Sequence, residues 1–124
     1  MLFRLDFQSA VPIYRQIRDQ VVLAVAKGEI APGERLPTTR ALAEDAGVNV
    51  MTVSEADQLL KAEGYLVTDR RAGAVVCAPP GKAAALSEEQ TARLKLLAGE
   101  ARLAGLSLDD FVAACKAAFG ETED

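Results

Sequence analysis

Residues 38–64, TTRALAEDAGVNVMTVSEADQLLKAEG, decide the fold. Thr38 is a natural N-cap for a short helix running to about Ala46, with Leu42 and Ala43 facing inward. Gly47 closes that helix. Asn49 caps a second one, about Val50–Glu63, in which Val53, Ala56, Leu59 and Leu60 recur at helical spacing before Gly64 breaks the run. The turn between them, AGVN, supplies the glycine and the brevity that a helix-turn-helix requires.

Working outward, Val11–Ala26 reads as a preceding helix. Ile13, Ile17, Val21 and Val25 fall at four-residue steps, Pro12 suits its first turn and Gly28 ends it. Pro32-Gly33 marks a turn. Residues 2–7, LFRLDF, alternate apolar and polar and predict a short strand. Beyond Gly64, two β segments follow at about Leu66–Asp69 and Ala74–Cys77, joined by a turn around Arg70–Gly73. Helix, short helix, tight turn, helix and β-hairpin is the order of a winged helix-turn-helix, mainly α with a small β-wing. Its third helix would enter a DNA major groove by its N-terminal end.

Composition shifts after Pro79-Pro80-Gly81, which predicts a DNA-binding domain over 1–78, a linker over 79–86 and a helical hairpin over 87–124. Ser87 with Gln90 forms a capping box for a helix to about Ala104; Ser107 with Asp110 opens another to about Phe119. Leu94, Leu97, Ala101 and Ala104 share one face, and Phe111, Cys115 and Phe119 share a face of the second helix. Two short amphipathic helices cannot bury such faces alone. They must pack on the first unit or on a second copy, and the reading adopted is a homodimerisation hairpin.

At 124 residues, half of them hydrophobic but only six aromatic, the core must be built from Leu, Val, Ile and Ala. No stretch approaches the roughly 20 apolar residues of a membrane helix, so no membrane partner is expected and the cytoplasm is the expected compartment. The chain has no histidine, which removes the commonest general base and most zinc sites. With no phosphate loop either, no enzyme activity, cofactor or metal site is expected. Cys77 and Cys115 lack metal-ligand spacing; a disulfide between them is left open by the sequence, and the reading adopted is two buried free thiols. The net charge of −4 arises wholly after residue 82: residues 1–82 carry ten basic and ten acidic groups, the remainder four and eight. Local placement governs phosphate contact more than the total does.

An ordered series of residues then carries a family resemblance. Pro12-Ile13-Tyr14-Arg15-Gln16-Ile17, Gly28 through Pro37, and Arg40-Ala41-Leu42-Ala43 resemble the N-terminal domain of the GntR family of transcription regulators. Gly47-Val48-Asn49, Thr52-Val53, Ala56, Leu59 and Glu63-Gly64 continue the pattern, which covers about residues 8–77. The short tail with Ala104-Gly105-Leu106-Ser107-Leu108 is similar to the YtrA subfamily. That resemblance implies dimerisation through the tail and repression by occupying a palindromic DNA operator.

It also implies site residues. Arg40 matches a DNA-contacting position, where a guanidinium pairs with guanine or clamps phosphate. Thr38 and Thr39 lie at a helix N-terminus that suits a phosphate, although capping alone would place Thr38 identically. Thr52 matches a threonine that touches DNA, Asn49 a frequent serine explained equally well as a cap, and Arg70 and Arg71 lie at the wing turn with Gly73. Val50 and Met51 depart from the Arg, Asn or Thr common at those positions and Ser54 from a common arginine, Asp57 replaces a core-packing aromatic, and Arg71 and Ala74 replace the first glycine and the threonine of Gly-x-Gly-Thr.

Two readings of these departures stand. Val50 and Met51 read thymine methyls and retune the preference, or the chain is a GntR-derived dimeric protein-interaction adaptor with weakened DNA binding. A small-molecule effector is left open, with the dimer seam and the cleft between tail and DNA-binding unit as its sites.

Overall fold

The computed structural model describes residues 3–77, 81 and 83–120, which form two units, Met1–Gly81 and Lys82–Asp124. Leu2, Pro79 and Pro80, used above to mark the first strand and the linker, lie outside the described residues.

The first unit contains α1 (Ile13–Ala26), α2 (Thr39–Ala46), α3 (Val50–Ala62), β1 (Leu66–Asp69) and β2 (Gly73–Val76). Side-chain caps set the starts of α2 and α3: Thr38 accepts from the Ala41 N–H at 3.1 Å and Asn49 from the Met51 N–H at 2.8 Å. Gly47 ends α2 at a φ of 69°, a left-handed conformation that a side chain would strain. That single residue turns the chain sharply enough for α3 to begin three residues later.

Two clusters make the core. Ile17, Leu42, Ala43, Val53 and Ala56 join α1, α2 and α3. Val21, Ala24, Ile30, Leu36, Leu60, Leu66 and Val76 extend that packing to the hairpin, and Phe3 packs against both clusters. Arg18 of α1 donates to both carboxylate oxygens of Glu63, at 2.7 and 3.0 Å, and lies over the Tyr65 ring. The hydrogen bonds to Glu63 hold the Arg18 charge more firmly than usual, and the pair ties α1 to the end of α3.

β1 and β2 are antiparallel, with Leu66 opposite Val76 and Asp69 opposite Gly73. The second strand thus begins one residue earlier than its expected start at Ala74. A further segment joins the hairpin: Arg35 bridges to Val75, while the Leu36 N–H donates to the Ala74 carbonyl at 2.9 Å and the Val76 N–H to the Glu34 carbonyl at 2.8 Å. The chain after the Pro32-Gly33 turn therefore runs beside β2 and is held to it by this isolated bridge and the flanking hydrogen bonds.

The strand expected over residues 2–7 is not formed by the described part of that segment. Its alternation is real, since Phe3 and Leu5 pack on the core while Arg4 and Asp6 point outward. The backbone, however, meets a helix instead of a sheet edge. Gln16 and Gln20, one turn apart on α1, act as strand substitutes: Gln20 exchanges two bonds with the Arg4 backbone at 3.0 and 2.8 Å, and Gln16 two with Asp6 at 2.8 and 2.9 Å.

The second unit is a hairpin of α4 (Glu88–Leu103) and α5 (Leu108–Phe119). Ser87 and Gln90 form the expected capping box, and Ser107 accepts from the Asp110 N–H at 3.1 Å. Neither helix has a buried residue. Both cysteines are free, but the expectation that both are buried fails. Cys77 is half-buried with its thiol donating to the Gly64 carbonyl at 3.0 Å, whereas Cys115 is exposed because nothing within its hairpin covers that face of α5. No helix among the described residues is long and apolar enough to cross a membrane.

Candidate nucleic-acid interface

The N-terminal ends of α2 and α3 and the wing turn present the candidate site. Thr38 and Thr39 stand at the start of α2, whose first N–H groups lack intrahelical partners and carry partial positive charge. Arg40 follows, exposed, and belongs to none of the ion pairs found among the described residues. Its guanidinium keeps all its donors for an outside acceptor.

At the start of α3, Val50 is 43% and Met51 69% exposed, while Thr52 and Ser54 are half-buried. The Asn49 side chain is occupied by its cap, and the Thr52 N–H donates to the Asn49 carbonyl at 3.0 Å. The leading end of α3 therefore offers an apolar pair, followed by the hydroxyls of Thr52 and Ser54 and the exposed carboxylate of Glu55.

In the wing, Asp69 shapes the turn. One of its carboxylate oxygens accepts from the N–H groups of Ala72 at 3.0 Å and Arg71 at 2.7 Å, and these bonds hold its pKa below the usual aspartate value. Gly73 closes the turn at a φ of 80°, and Arg70 and Arg71 are left exposed at the tip. Between this turn and the start of α2 runs a groove of about 650 Å³, lined by Thr38, Thr39, Arg70 and Arg71 together with Arg35 and Lys61.

The fold thus brings Thr38, Thr39, Arg70, Arg71 and Gly73 onto one groove; Arg40, Asn49, Val50, Met51, Thr52 and Ser54 do not line it. Arg35 and Lys61 were not anticipated. Arg35 reaches the groove only because its segment bridges to β2, a contact 40 residues away in the chain. Lys61, four residues after Asp57 on α3, carried a local signal in that spacing.

In the second unit, Leu94, Leu97, Ala104, Cys115 and Phe119 are exposed, while Ala101 and Phe111 are half-buried. Leu96, Leu103 and Leu108 are exposed as well, Leu103 to 90%. Among the described residues no group of acidic or cysteine side chains has the placement to hold a metal ion.

A tri-helical core, a short second helix capped at a tight turn and a basic-tipped hairpin define a winged helix-turn-helix DNA-binding transcription regulator. The chain belongs to the GntR family: the model for "Bacterial regulatory proteins, gntR family" matches residues 13–76. Within that family it is YtrA-like. It is 35% identical over 107 residues to the HTH-type transcriptional regulator Rv1152 of Mycobacterium tuberculosis, covering 86% of this chain and 85% of that protein. It is 33% identical over 114 residues to the HTH-type transcriptional repressor YtrA of Bacillus subtilis, covering 87% and 85%. The solved structure of YtrA from Sulfolobus acidocaldarius, a GntR-family transcription factor, superposes with a TM-score of 0.64 at 34% identity, covering 82% of this chain and 99% of that one. The protein is a regulator and not an enzyme.

Proposed function

We infer that the protein is a sequence-specific repressor that acts as a homodimer on a palindromic operator. The observation that carries this reading is the groove between α2 and the wing, where two threonines at a helix N-terminus line one surface with arginines that belong to none of the ion pairs found among the described residues. Hydroxyls, unpaired helix N–H groups and guanidinium donors are the groups that hold DNA phosphates in register. Arg40, beside them, takes a base or a phosphate. The start of α3 lies in the major groove, and Val50 and Met51 contact thymine methyls.

The domain roles follow the two units. Residues 1–78 bind DNA, 79–86 link, and the hairpin of 87–124 pairs two copies through Leu94, Leu97, Ala101, Ala104, Phe111, Cys115 and Phe119. The uncovered apolar side chains of α4 and α5 support that pairing, and the named repressor role of the Bacillus relative supports the repression. Two copies spaced by such a hairpin place two α3 helices in successive major grooves, and repression follows from occupying promoter DNA. An effector would act by changing that spacing.

The exposed Val50–Met51 pair favours one alternative, a dimeric protein-interaction adaptor that no longer binds DNA specifically. Binding to a promoter duplex and to a scrambled duplex, at low and physiological salt, separates the two. The repressor prefers the promoter, weakens steeply with salt, and loses about tenfold or more in affinity on Arg40→Ala. Weak binding to every duplex, unaffected by that substitution, selects the adaptor.

A further inference from the structure

Asp57 is the one buried charged or polar residue among those described, only 7% exposed. On α3 it lies between the buried Ala56 and Leu60, positions that face the core. It takes part in none of the ion pairs found among the described residues, and its side chain lines the groove between α2 and the wing. An aliphatic side chain would fill this position without the desolvation penalty of a carboxylate. The acid therefore stands beneath the very rim to which the DNA-binding reading assigns phosphates.

The other charged residues that line this groove are all cationic: Arg35 from the segment before α2, Lys61 from α3, and Arg70 and Arg71 from the wing turn; of these, Lys61 acts directly on the Asp57 carboxyl. Burial pushes the Asp57 carboxyl above the ordinary value of 3.8, and Lys61, one helical turn away, pulls it back. A phosphate on the rim changes this balance in one direction. It cancels the neighbouring cations, places like charge over the carboxylate and expels water from the groove. Each effect disfavours the charged form of Asp57.

We propose that Asp57 is a built-in brake on DNA binding: charged, it opposes phosphates on the rim of the groove, and complex formation draws a proton onto it. This rests on the DNA-binding reading and adds to it a proton as a regulator of affinity. The sequence makes the effect unusually easy to isolate. With no histidine in the chain, ordinary side chains leave the interval between about pH 5 and pH 7 nearly silent.

The test compares the full-length wild type with Asp57→Asn and Asp57→Leu on one duplex, by fluorescence anisotropy at about pH 5.5 and about pH 7.5 in roughly 0.1 M salt. The wild type binds more tightly as pH falls. Both variants bind about three- to tenfold more tightly than wild type near pH 7.5, and that advantage narrows toward pH 5.5. Salt-sensitive binding by the wild type with a flat pH profile overturns the brake and leaves the DNA-binding reading intact, whether or not either variant folds. Folded variants that match the wild type at both pH values, or bind more weakly near pH 7.5, also overturn it. No salt-sensitive binding by any of the three proteins overturns the DNA-binding reading and the brake together.

Discussion

The two units of the chain begin from equally clear local signals and end with opposite packing. In Met1–Gly81, capped helices close around two apolar clusters and bury Ile17, Leu42, Val53, Leu60 and Leu66 almost completely. In Lys82–Asp124, α4 has the fuller cap, a reciprocal box between Ser87 and Gln90, yet neither of its helices buries a residue. Capping fixes where a helix starts; it does not supply the surface on which the helix rests. That surface has to come from elsewhere in space. A unit with three helices and a hairpin provides it internally, whereas two antiparallel helices leave most of their apolar side chains uncovered.

Substitutions in the two units should therefore fail in different ways. Leu60→Ala, in the centre of the first core, is expected to destabilise the protein by about 2–5 kcal/mol in denaturant unfolding, with no dependence of that loss on protein concentration. A loss below about 1 kcal/mol would mean that the core of Met1–Gly81 is looser than its burial indicates. Leu97→Glu, on the uncovered face of α4, is expected to leave the first unit folded while weakening self-association by about 2 kcal/mol, seen as a shift toward monomer in sedimentation velocity. Wild-type protein that is already monomeric at micromolar concentration would break the contrast and remove the dimer from the proposed function.

The smallest expected effect belongs to Asp57. Because burial raises its pKa in the folded protein above the unfolded value, the folded state holds more protons, and stability falls as pH rises through the folded value. The penalty is absent below the ordinary aspartate value and complete above the folded one. Thermal unfolding should accordingly show Asp57→Asn gaining on the wild type as pH rises from the ordinary aspartate value toward neutrality. Parallel profiles for the two proteins would show that the carboxylate is solvated in the folded state.

Most of the first unit was legible in the sequence because its elements are declared by near neighbours. Thr38 and Asn49 announce α2 and α3 within three residues, Gly47 announces the turn, and Asp69 and Gly73 bracket the wing tip. The candidate site was legible for the same reason where it lies at helix ends and at that tip, at Thr38, Thr39, Arg40, Arg70 and Arg71. The N-terminal segment misled because an alternating pattern reports which face is buried, and a helix bearing Gln16 and Gln20 satisfies that pattern as well as a sheet edge does. Cys115 misled because its burial depends on a surface that its own hairpin lacks.

By itself, then, the sequence determined the order and ends of the helices, the tight turn, the wing and the family, all of which rest on interactions spanning a few residues. Tertiary structure decided what depends on distant segments meeting. It set Arg35 beside β2 on the groove, secured Arg18 to Glu63 across 45 positions, and placed the Asp57 carboxylate beneath a basic rim. Hydrogen bonds and side-chain spacing along one helix can be read from neighbouring letters. Burial and the local electric field are sums over everything nearby in space, and only the folded chain fixes which groups those are.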